Sequence, residues 1–462
     1  MLGIRLDRTA STSLGRQLAE GLRDRIRTGE LAAGFRLPST RLLAGSLGIS
    51  RPVAVEAYEQ LQAEGYLEGR RGSGCYVAAG VRAVPRPGPA APAPAAAPAL
   101  PPGTISFHTG QPALDQVPWA AWGRALRESA PLLGRLGHGE PEGLPDLREQ
   151  LAAYLYRARG LRARPEEVLV VSGSTQALAL LTDLCCGPRS GALVEDPCHP
   201  AMRRLLEARR APVRPHPVDA QGLVVETLPD CAAGLVYVTP SHQFPLGGVL
   251  PAARRGPLVD WARSRRALVL EDDYDGEFRY GGQPLLPLRE SDPGAVAYVG
   301  TLSKILTPSL RLGWLVLPEH LRARWRDAKY YMDIHSALLE QAALARFLAS
   351  GRLEQHVHRL RKVYARRREA LLEALAATFP GRHQVRGEAA GMHLAARFPD
   401  LVFGPARLER LHRAGVHALP ASAYALEAPE AHQDTLVLGY GHLDERSIRD
   451  GVRRLGRALE AG

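Results

Sequence analysis

AYVGTLSKILTPSLRLGW, residues 297–314, begins as a short apolar run and stops in a turn that ends on Lys304. The same pattern recurs four more times along the chain. VLVV (168–171) leads into SGSTQAL, ALVE (192–195) into DPCHP, GLVYV (234–238) into TPSHQFPLG, and ALVLE (267–271) into DDYD. Short apolar runs bounded by polar turns are the signature of strands buried on both faces. A series of them predicts an α/β unit with a mostly parallel central sheet, with ligands gathering beyond the C-terminal ends of its strands.

The turns themselves carry chemistry. Ser174 and Thr175 lie in a small-residue turn ahead of a helix starting near Gln176, where free backbone N–H groups and hydroxyls hold a phosphate. Asp272 follows an apolar strand, and a carboxylate buried there needs a cationic partner. A protonated pyridine nitrogen suits it; a solvated acidic loop or a divalent-metal site is the competing reading. Tyr274, two residues on, is placed to donate to a phenolic oxygen on the same ring. Lys304 closes a strand-to-turn junction, a poor place for a solvated amine, and a lysine amine condenses with an aldehyde. Thr301, Ser303 and Arg311 add phosphate donors, the guanidinium matching a dianion. Together these groups describe pyridoxal phosphate held at aldehyde, ring nitrogen, phenol and phosphate.

The composition excludes several classes of protein. With 462 residues, 45% hydrophobic and 23% charged, the chain is neither disordered throughout nor fibrous. Two or three domains are expected at this length. Only Lys304, Lys329 and Lys362 are lysines among 59 basic residues, and the last two read as ordinary helix-surface residues. Five cysteines without CxxC spacing argue against a disulfide framework or zinc ribbon, so no metal is expected. Cys198 beside His199 is discounted as a thiol nucleophile, because sequence neighbours rarely face each other. No apolar run approaches the roughly 18 residues of a membrane span, and MLGIRLDRTA lacks a signal-peptide core. A cytoplasmic protein without a membrane partner is the expectation.

Residues 78–103 divide the chain: eight prolines, ten alanines and three glycines in 26 residues cannot bury a core. A polyproline-like tether of that length reaches about 80 Å. It leaves an N-terminal module at 1–77 and a C-terminal body at 104–462, the latter with a small α+β subdomain from approximately 340. In the module, Leu14, Leu18, Leu22 and Ile26 recur every four residues on one helix face, with Ser13 as cap and Gly29 as terminator. Ser39 can cap a short helix carrying Leu42, Leu43 and Leu47. After the break at Gly48, Ser50 can cap a third helix whose buried stripe is Val53, Ala57 and Leu61. YLEGRRGSGCYV then reads as a hairpin with a basic tip. Helix, helix, tight turn, helix and hairpin is the plan of a winged helix-turn-helix. Its third helix enters the major groove by the end bearing Ser50 and Arg51, with Arg41 near phosphate or base edges and the wing on the backbone or minor groove.

The module resembles the GntR-type winged-helix family, down to the LPS-R-L-A-L-G-S-R order and the G-Y-L…G-R-R-G-S-G-x-x-V ending. On that resemblance Arg41, Ser50 and Arg51 match DNA-contacting positions; Ser39 and the wing arginines Arg70 and Arg71 are further candidates for contact with double-stranded operator DNA. The body is similar to fold-type-I aminotransferases. EDDYDGEFRY, YVTPSHQFPLG and GTLSKILTPSLRLGW resemble the branch fused to a GntR-type domain, the MocR/GabR-like transcriptional regulators. The resemblance implies Lys304 as the Schiff-base lysine, Asp272 on the pyridine nitrogen and Tyr274 on the phenolic oxygen. It implies Ser174, Thr175, Thr301, Ser303 and Arg311 around the phosphate, and a domain-swapped, head-to-tail homodimer.

Four positions depart from that pattern. His199 stands where a tyrosine commonly covers the cofactor ring, and it can still stack. His138 replaces a tyrosine that often reaches the partner subunit's phosphate. Phe244 replaces the asparagine of ordinary aminotransferases. Val437 stands where amino-acid aminotransferases carry the arginine that clamps the substrate carboxylate, and valine forms no ion pair. His356 and His358 diverge on a helix expected at 353–378, and RLRKVYARRRE (359–369) reads as a solvated helix face. The expectation is therefore a regulator responding to pyridoxal phosphate itself or to a small amine, with a residual half-reaction permitted. A working aminotransferase that keeps the winged helix is the alternative.

Overall fold

The computed structural model describes residues 2–70, 72–81, 100–135, 137–281 and 285–460, and divides into an N-terminal unit up to Ala99 and a C-terminal unit from Leu100. Arg71 and most of the expected tether lie outside the described residues.

The N-terminal unit contains α1 (Leu14–Arg27), α2 (Thr40–Leu47) and α3 (Arg51–Ala63), followed by the antiparallel hairpin β1 (Leu67–Arg70) and β2 (Gly74–Val77). Ser13 caps α1, and Leu18, Leu22 and Ile26 are buried along it. Ser39 Oγ accepts from the N–H of Leu42 at 3.3 Å, and α2 ends at Gly48 in the left-handed conformation. Three local expectations shift. Leu42 is 66% exposed, because this two-turn helix buries a narrow face through Leu43 and Ala44. The buried stripe of α3 is Ala54, Ala57, Tyr58 and Leu61, with Val53 half-buried; Tyr58 donates to the Pro38 carbonyl at 2.9 Å and fixes the helix rotation. Ser50 sits at the cap position of α3 without a capping hydrogen bond, because Pro52 removes one of the two N–H groups a cap accepts from.

The C-terminal unit has ten helices among the described residues: α4 (Trp119–Leu133), α5 (Pro145–Arg159), α6 (Ser174–Cys185), α7 (Pro200–Ala208), α8 (Ala252–Ser264), α9 (Glu319–Asp333), α10 (Leu338–Ala349), α11 (Arg352–Thr378), α12 (Pro405–Arg413) and α13 (Glu445–Glu460). After the short β3 (Ile105–Ser106) come β4 (Val168–Val171), β5 (Gly191–Asp196), β6 (Val213–Asp219), β7 (Gly222–Leu223), β8 (Ala233–Val238), β9 (Leu268–Asp272), β10 (Val296–Thr301) and β11 (Gly313–Val316). These last eight form one sheet in the order β4-β11-β10-β9-β8-β5-β6-β7. The central pairings from β10 through β6 are parallel, and β11 is inserted antiparallel between β10 and β4. All five apolar runs are strands pointing the same way, so their turns meet at one edge.

A second sheet, in the order β12-β13-β16-β15, uses β12 (Gln384–Arg386), β13 (His393–Arg397), β15 (Leu419–Pro420) and β16 (Thr435–Gly439), with β14 (Val416–His417) pairing separately with β3. Its core joins Leu394, Leu436 and Leu438 to Ile448, Val452 and Leu455 of α13 and to Phe107. The division between the two cores falls within α11: Leu353 and Val357 pack into the first, Leu360 onward into the second. Helix α10, which begins near residue 340, belongs with α4 and α5. The 359–369 segment is amphipathic rather than wholly solvated, since Leu360, Val363, Tyr364 and Arg367 are buried.

One ion pair ties the helical layer to the functional edge. Arg159, the last residue of α5, is buried with its Nε 2.7 Å from Asp273 Oδ2. It also donates to the Gly276 carbonyl at 2.6 Å and to Ser241 Oγ at 3.1 Å, while the Tyr298 hydroxyl donates to the same Asp273 oxygen at 2.6 Å. Breaking a buried pair from one side leaves an uncompensated charge. Arg159→Met is therefore expected to cost about 3–5 kcal/mol in urea unfolding; a loss below about 1 kcal/mol would contradict the role given to the pair.

Candidate functional site

The turns after β4, β5, β8, β9 and β10 enclose a cavity of roughly 780 Å³. Ten residues singled out in the sequence line it: Ser174, Thr175, His199, Phe244, Asp272, Tyr274, Thr301, Ser303, Lys304 and Arg311.

At one end, Ser174 and Thr175 open α6, so their backbone N–H groups have no intrahelical acceptor. Gly173 precedes them at φ +85°, and a Cβ there would come within 2.5 Å of the Arg311 guanidinium; only glycine allows that approach. Arg311 donates to the Ser172 carbonyl at 3.1 Å. Thr301 and Ser303 are buried and share a hydroxyl hydrogen bond of 3.0 Å. Two free N–H groups, four hydroxyls and a guanidinium at a helix N-terminus form a place for a dianion.

Lys304 Nζ donates to the Gly110 carbonyl at 2.7 Å. Burial pushes its amine below the ordinary lysine range, opposed by Asp275 and Asp272. Asp272 lies at the end of β9, with Oδ2 accepting from the Tyr237 hydroxyl at 2.9 Å. Its Oδ1 is buried with no partner among the described residues, and burial pushes the carboxyl up to about 6. An unsatisfied buried carboxylate oxygen beside a desolvated amine calls for a cationic ligand atom.

Tyr274 lines the cavity, but its hydroxyl donates to the His242 carbonyl at 2.9 Å. His199 is solvent-accessible and caps α7: its Nδ1 accepts from the Ala201 N–H at 3.2 Å, leaving Nε2 as the protonated nitrogen. Phe244 faces the cavity among His199, Tyr274, His393 and Tyr424, with ring centroids 5.1–6.1 Å away. Val437 is buried on β16 against Leu246, Ala395 and Ala421, within the hydrophobic core of that region. His138 is exposed, its ring 6.5 Å from that of His335.

Sequence reasoning missed the back wall. Buried His242 Nδ1 is 3.0 Å from Asp275 Oδ2, and the His393 ring lies tilted against that of His242 with centroids 4.5 Å apart, while its Nε2 reaches the Pro245 carbonyl at 3.2 Å. Asp275 and His393 line the cavity. The TPSHQFPLG turn contained His242, but nothing local paired it with His393, which arrives from the second sheet. Tyr237, the partner of Asp272, was hidden inside an apolar strand. Lys329, read as a surface residue, is fully buried on α9, because its amine finds Asp333 and Ser336. The five cysteines are free, and burial pushes the Cys198 thiol well up, consistent with its exclusion as a nucleophile. His356 is buried against the Ile305 carbonyl at 2.8 Å, while His358 is exposed.

In the N-terminal unit, Arg41, Ser50 and Arg51 are exposed, and among the described residues neither arginine has an ion-pair partner. Ser39 is engaged as the α2 cap. Arg70 pairs with Glu68 at 2.6 Å and lies over the Tyr76 ring at 4.6 Å, both at the surface. The turn joining α2 to α3 is tied by Arg8, which donates to the Gly48 carbonyl at 2.6 Å.

Comparison with known proteins agrees with the fold of each unit. Residues 102–430 match the aminotransferase class I and II family, and residues 14–77 match the bacterial regulatory proteins of the gntR family. The HTH-type pyridoxine biosynthesis transcriptional regulator PdxR of Corynebacterium glutamicum is 34% identical, the alignment covering 100% of this chain and 99% of that one. The probable rhizopine catabolism regulatory protein MocR of Rhizobium meliloti is 33% identical over 99% and 96% of the two chains. Among solved structures, the multiple substrate aminotransferase of Thermococcus profundus superposes with a TM-score of 0.72 at 27% identity, over 78% of this chain and 92% of that one. Among the described residues, no helix is long and apolar enough to cross a membrane. The chain belongs to the class I and II aminotransferase family and is fused to a gntR-family helix-turn-helix domain, the organisation of the full-length regulators it resembles.

Proposed function

We propose that this protein is a DNA-binding transcriptional regulator whose C-terminal unit binds pyridoxal phosphate at Lys304 and uses that site to sense its effector. The observation that carries the reading is Asp272 Oδ1, buried and unpartnered in the same cavity as a desolvated lysine and a helix N-terminus flanked by arginine. The residues present fit the cofactor. Asp272 would hold the protonated ring nitrogen, with Tyr237 keeping its other oxygen in place. Ser174, Thr175, Thr301, Ser303 and Arg311 would take the phosphate, and His199 and Phe244 would bound the ring. Tyr274 would reach the phenolic oxygen if its hydroxyl left the His242 carbonyl. When bound, pyridoxal phosphate supplies an aldehyde that condenses with an amine and a ring that withdraws electrons. Lys304, held below its ordinary pKa, supplies a larger fraction of neutral amine for that condensation than a solvated lysine does.

Operator recognition would fall to the α3 N-terminus, where Arg51 and the uncapped Ser50 are free to meet base edges in the major groove, with Arg41, Ser39 and the wing arginines Arg70 and Arg71 near the backbone. A head-to-tail homodimer would present two such modules. Effector binding would favour one arrangement of the dimer over another, shifting a population already present. Two effectors fit this scheme, the cofactor itself and a small amine. The Val437 site supplies no cation for a carboxylate, and the relative from Corynebacterium glutamicum is named for pyridoxine biosynthesis; both favour the cofactor.

Gel retardation of the DNA upstream of the protein's own gene tests the regulator reading. Retardation that depends on pyridoxal phosphate and is altered in Lys304→Ala is expected, and Arg51→Ala should weaken binding by about 1–3 kcal/mol. Absence of retardation under every condition would sink the reading, and turnover of an amine with a keto acid would favour the enzyme alternative. A pH test addresses Asp272. Its carboxyl lies near 6 in the folded apoprotein against 3.8 ordinarily, so its contribution to stability is present at pH 4 and is lost as the pH rises through 6. Between pH 4 and 7, the apoprotein should lose about 2 kcal/mol relative to Asp272→Asn in urea unfolding. Parallel stability curves would contradict the assignment.

A further inference from the structure

Lys329 is one of three lysines in the chain and is 0% exposed. It lies on α9 one turn before Asp333, the last residue of that helix. A carboxylate is disfavoured at a helix C-terminus, where unpaired carbonyls already concentrate negative charge. The Lys329 amine meets Asp333 Oδ1 and donates to Ser336 Oγ at 3.2 Å. The other carboxylate oxygen points away from α9. Asp333 Oδ2 accepts from Gln176 Nε2 at 2.7 Å and from Ser172 Oγ at 3.4 Å.

Those two partners are the ends of a single turn. Gln176 Oε1 accepts from the Ser172 N–H at 2.8 Å, closing the turn on itself, and Ser172 Oγ lies 3.1 Å from Ser336 Oγ. Between them lie Gly173, Ser174 and Thr175, whose backbone opens α6. Asp333 thus staples the turn from behind, and Arg311 holds it from the cavity side through the Ser172 carbonyl. The staple has an electrostatic cost: it puts a negative charge next to the groups that would receive an anion.

We propose that Lys329 is a positioning residue of the cofactor site: its buried ammonium neutralises Asp333, so that the carboxylate staples the 172–176 turn without opposing the phosphate dianion the turn receives. This rests on reading that turn as the phosphate end of the cavity. Lys329 touches no ligand; it acts through Asp333, Ser172 and Gln176. A purely structural role would affect every ligand alike, whereas this role affects only those that carry the phosphate.

The test compares affinities for pyridoxal phosphate and for pyridoxal, which lacks the phosphate, by absorbance titration of the full-length protein. In Lys329→Met, affinity for pyridoxal phosphate should fall about tenfold or more, since an unscreened charge then faces the dianion. Affinity for pyridoxal should stay within about twofold of wild type, the scale of changes at uncoupled sites. The double variant Lys329→Met with Asp333→Asn removes both charges and should recover most of the loss, because replacing both partners of a buried pair is far less disruptive than replacing one. If Lys329→Met fails to fold, Asp333→Asn alone carries the test: it should bind pyridoxal phosphate at least as tightly as wild type. Equal losses for the two ligands in Lys329→Met, no loss at all, or no recovery in the double variant would overturn the proposal. Wild-type protein that binds pyridoxal as tightly as pyridoxal phosphate would overturn the phosphate reading itself, and the proposal with it.

Discussion

The buried pairing of Arg159 with Asp273 is the constraint on which the rest of the site depends. Five acidic residues lie within seven positions, Glu271 to Glu277, and all five are buried. Burial pushes Glu271 and Glu277 up to about 7. Such a segment stays folded only if its charges are taken up one by one. Arg159 takes Asp273 and the Gly276 carbonyl; the Leu288 and Arg289 N–H groups take Glu271; Tyr154 donates to Glu277; His242 faces Asp275. Gly276 is required there, since a Cβ would lie 2.1 Å from Asp273 Oδ1. Among the described residues, Asp272 and Asp273 each keep one oxygen without a partner, and of the two only Asp272 lines the cavity.

The same logic accounts for the lysines. Arginine serves nearly everywhere in this chain, and the two lysines that are not at the surface have distinct environments. Lys304 faces the cavity with its amine depressed by burial, a state that a guanidinium does not reach. Lys329 is enclosed and paired, and it reaches the cavity only through the turn that Asp333 holds. Both flank the phosphate-type turn, one in front and one behind. On the proposed reading, the cavity has a cation-seeking wall at Asp272, an anion-seeking end at α6 and the amine of Lys304 between them.

The fold was legible in the sequence because its strands are buried on both faces and end in turns that break the apolar pattern. Composition pointed to a break at residues 78–103, and the structure divides after Ala99. Cavity-lining residues near strand ends were legible too: Ser174, Thr175, Thr301, Ser303 and Lys304 each follow a run that announces a strand. Long-range pairings were not. Lys329 looked like a surface residue because Asp333 one turn away is an ordinary helix neighbour, and nothing in the chain shows that Gln176 closes over the pair. His242 and His393 are 151 positions apart and meet only because the second sheet packs against the first. Antiparallel β11 escaped notice because GWLV has the same apolar pattern as its parallel neighbours. The stripe of α3 was shifted by a contact outside the helix, the bond from Tyr58 to Pro38.

The scarcity of lysine makes the central claim directly measurable. The protein would be incubated with pyridoxal phosphate, the linkage reduced with borohydride, and the digested peptides mapped by mass spectrometry. A pyridoxyl phosphate adduct on Lys304, with Lys329 and Lys362 unmodified, is the predicted result. An adduct on either of the other two lysines in place of Lys304, or no adduct, would contradict the account.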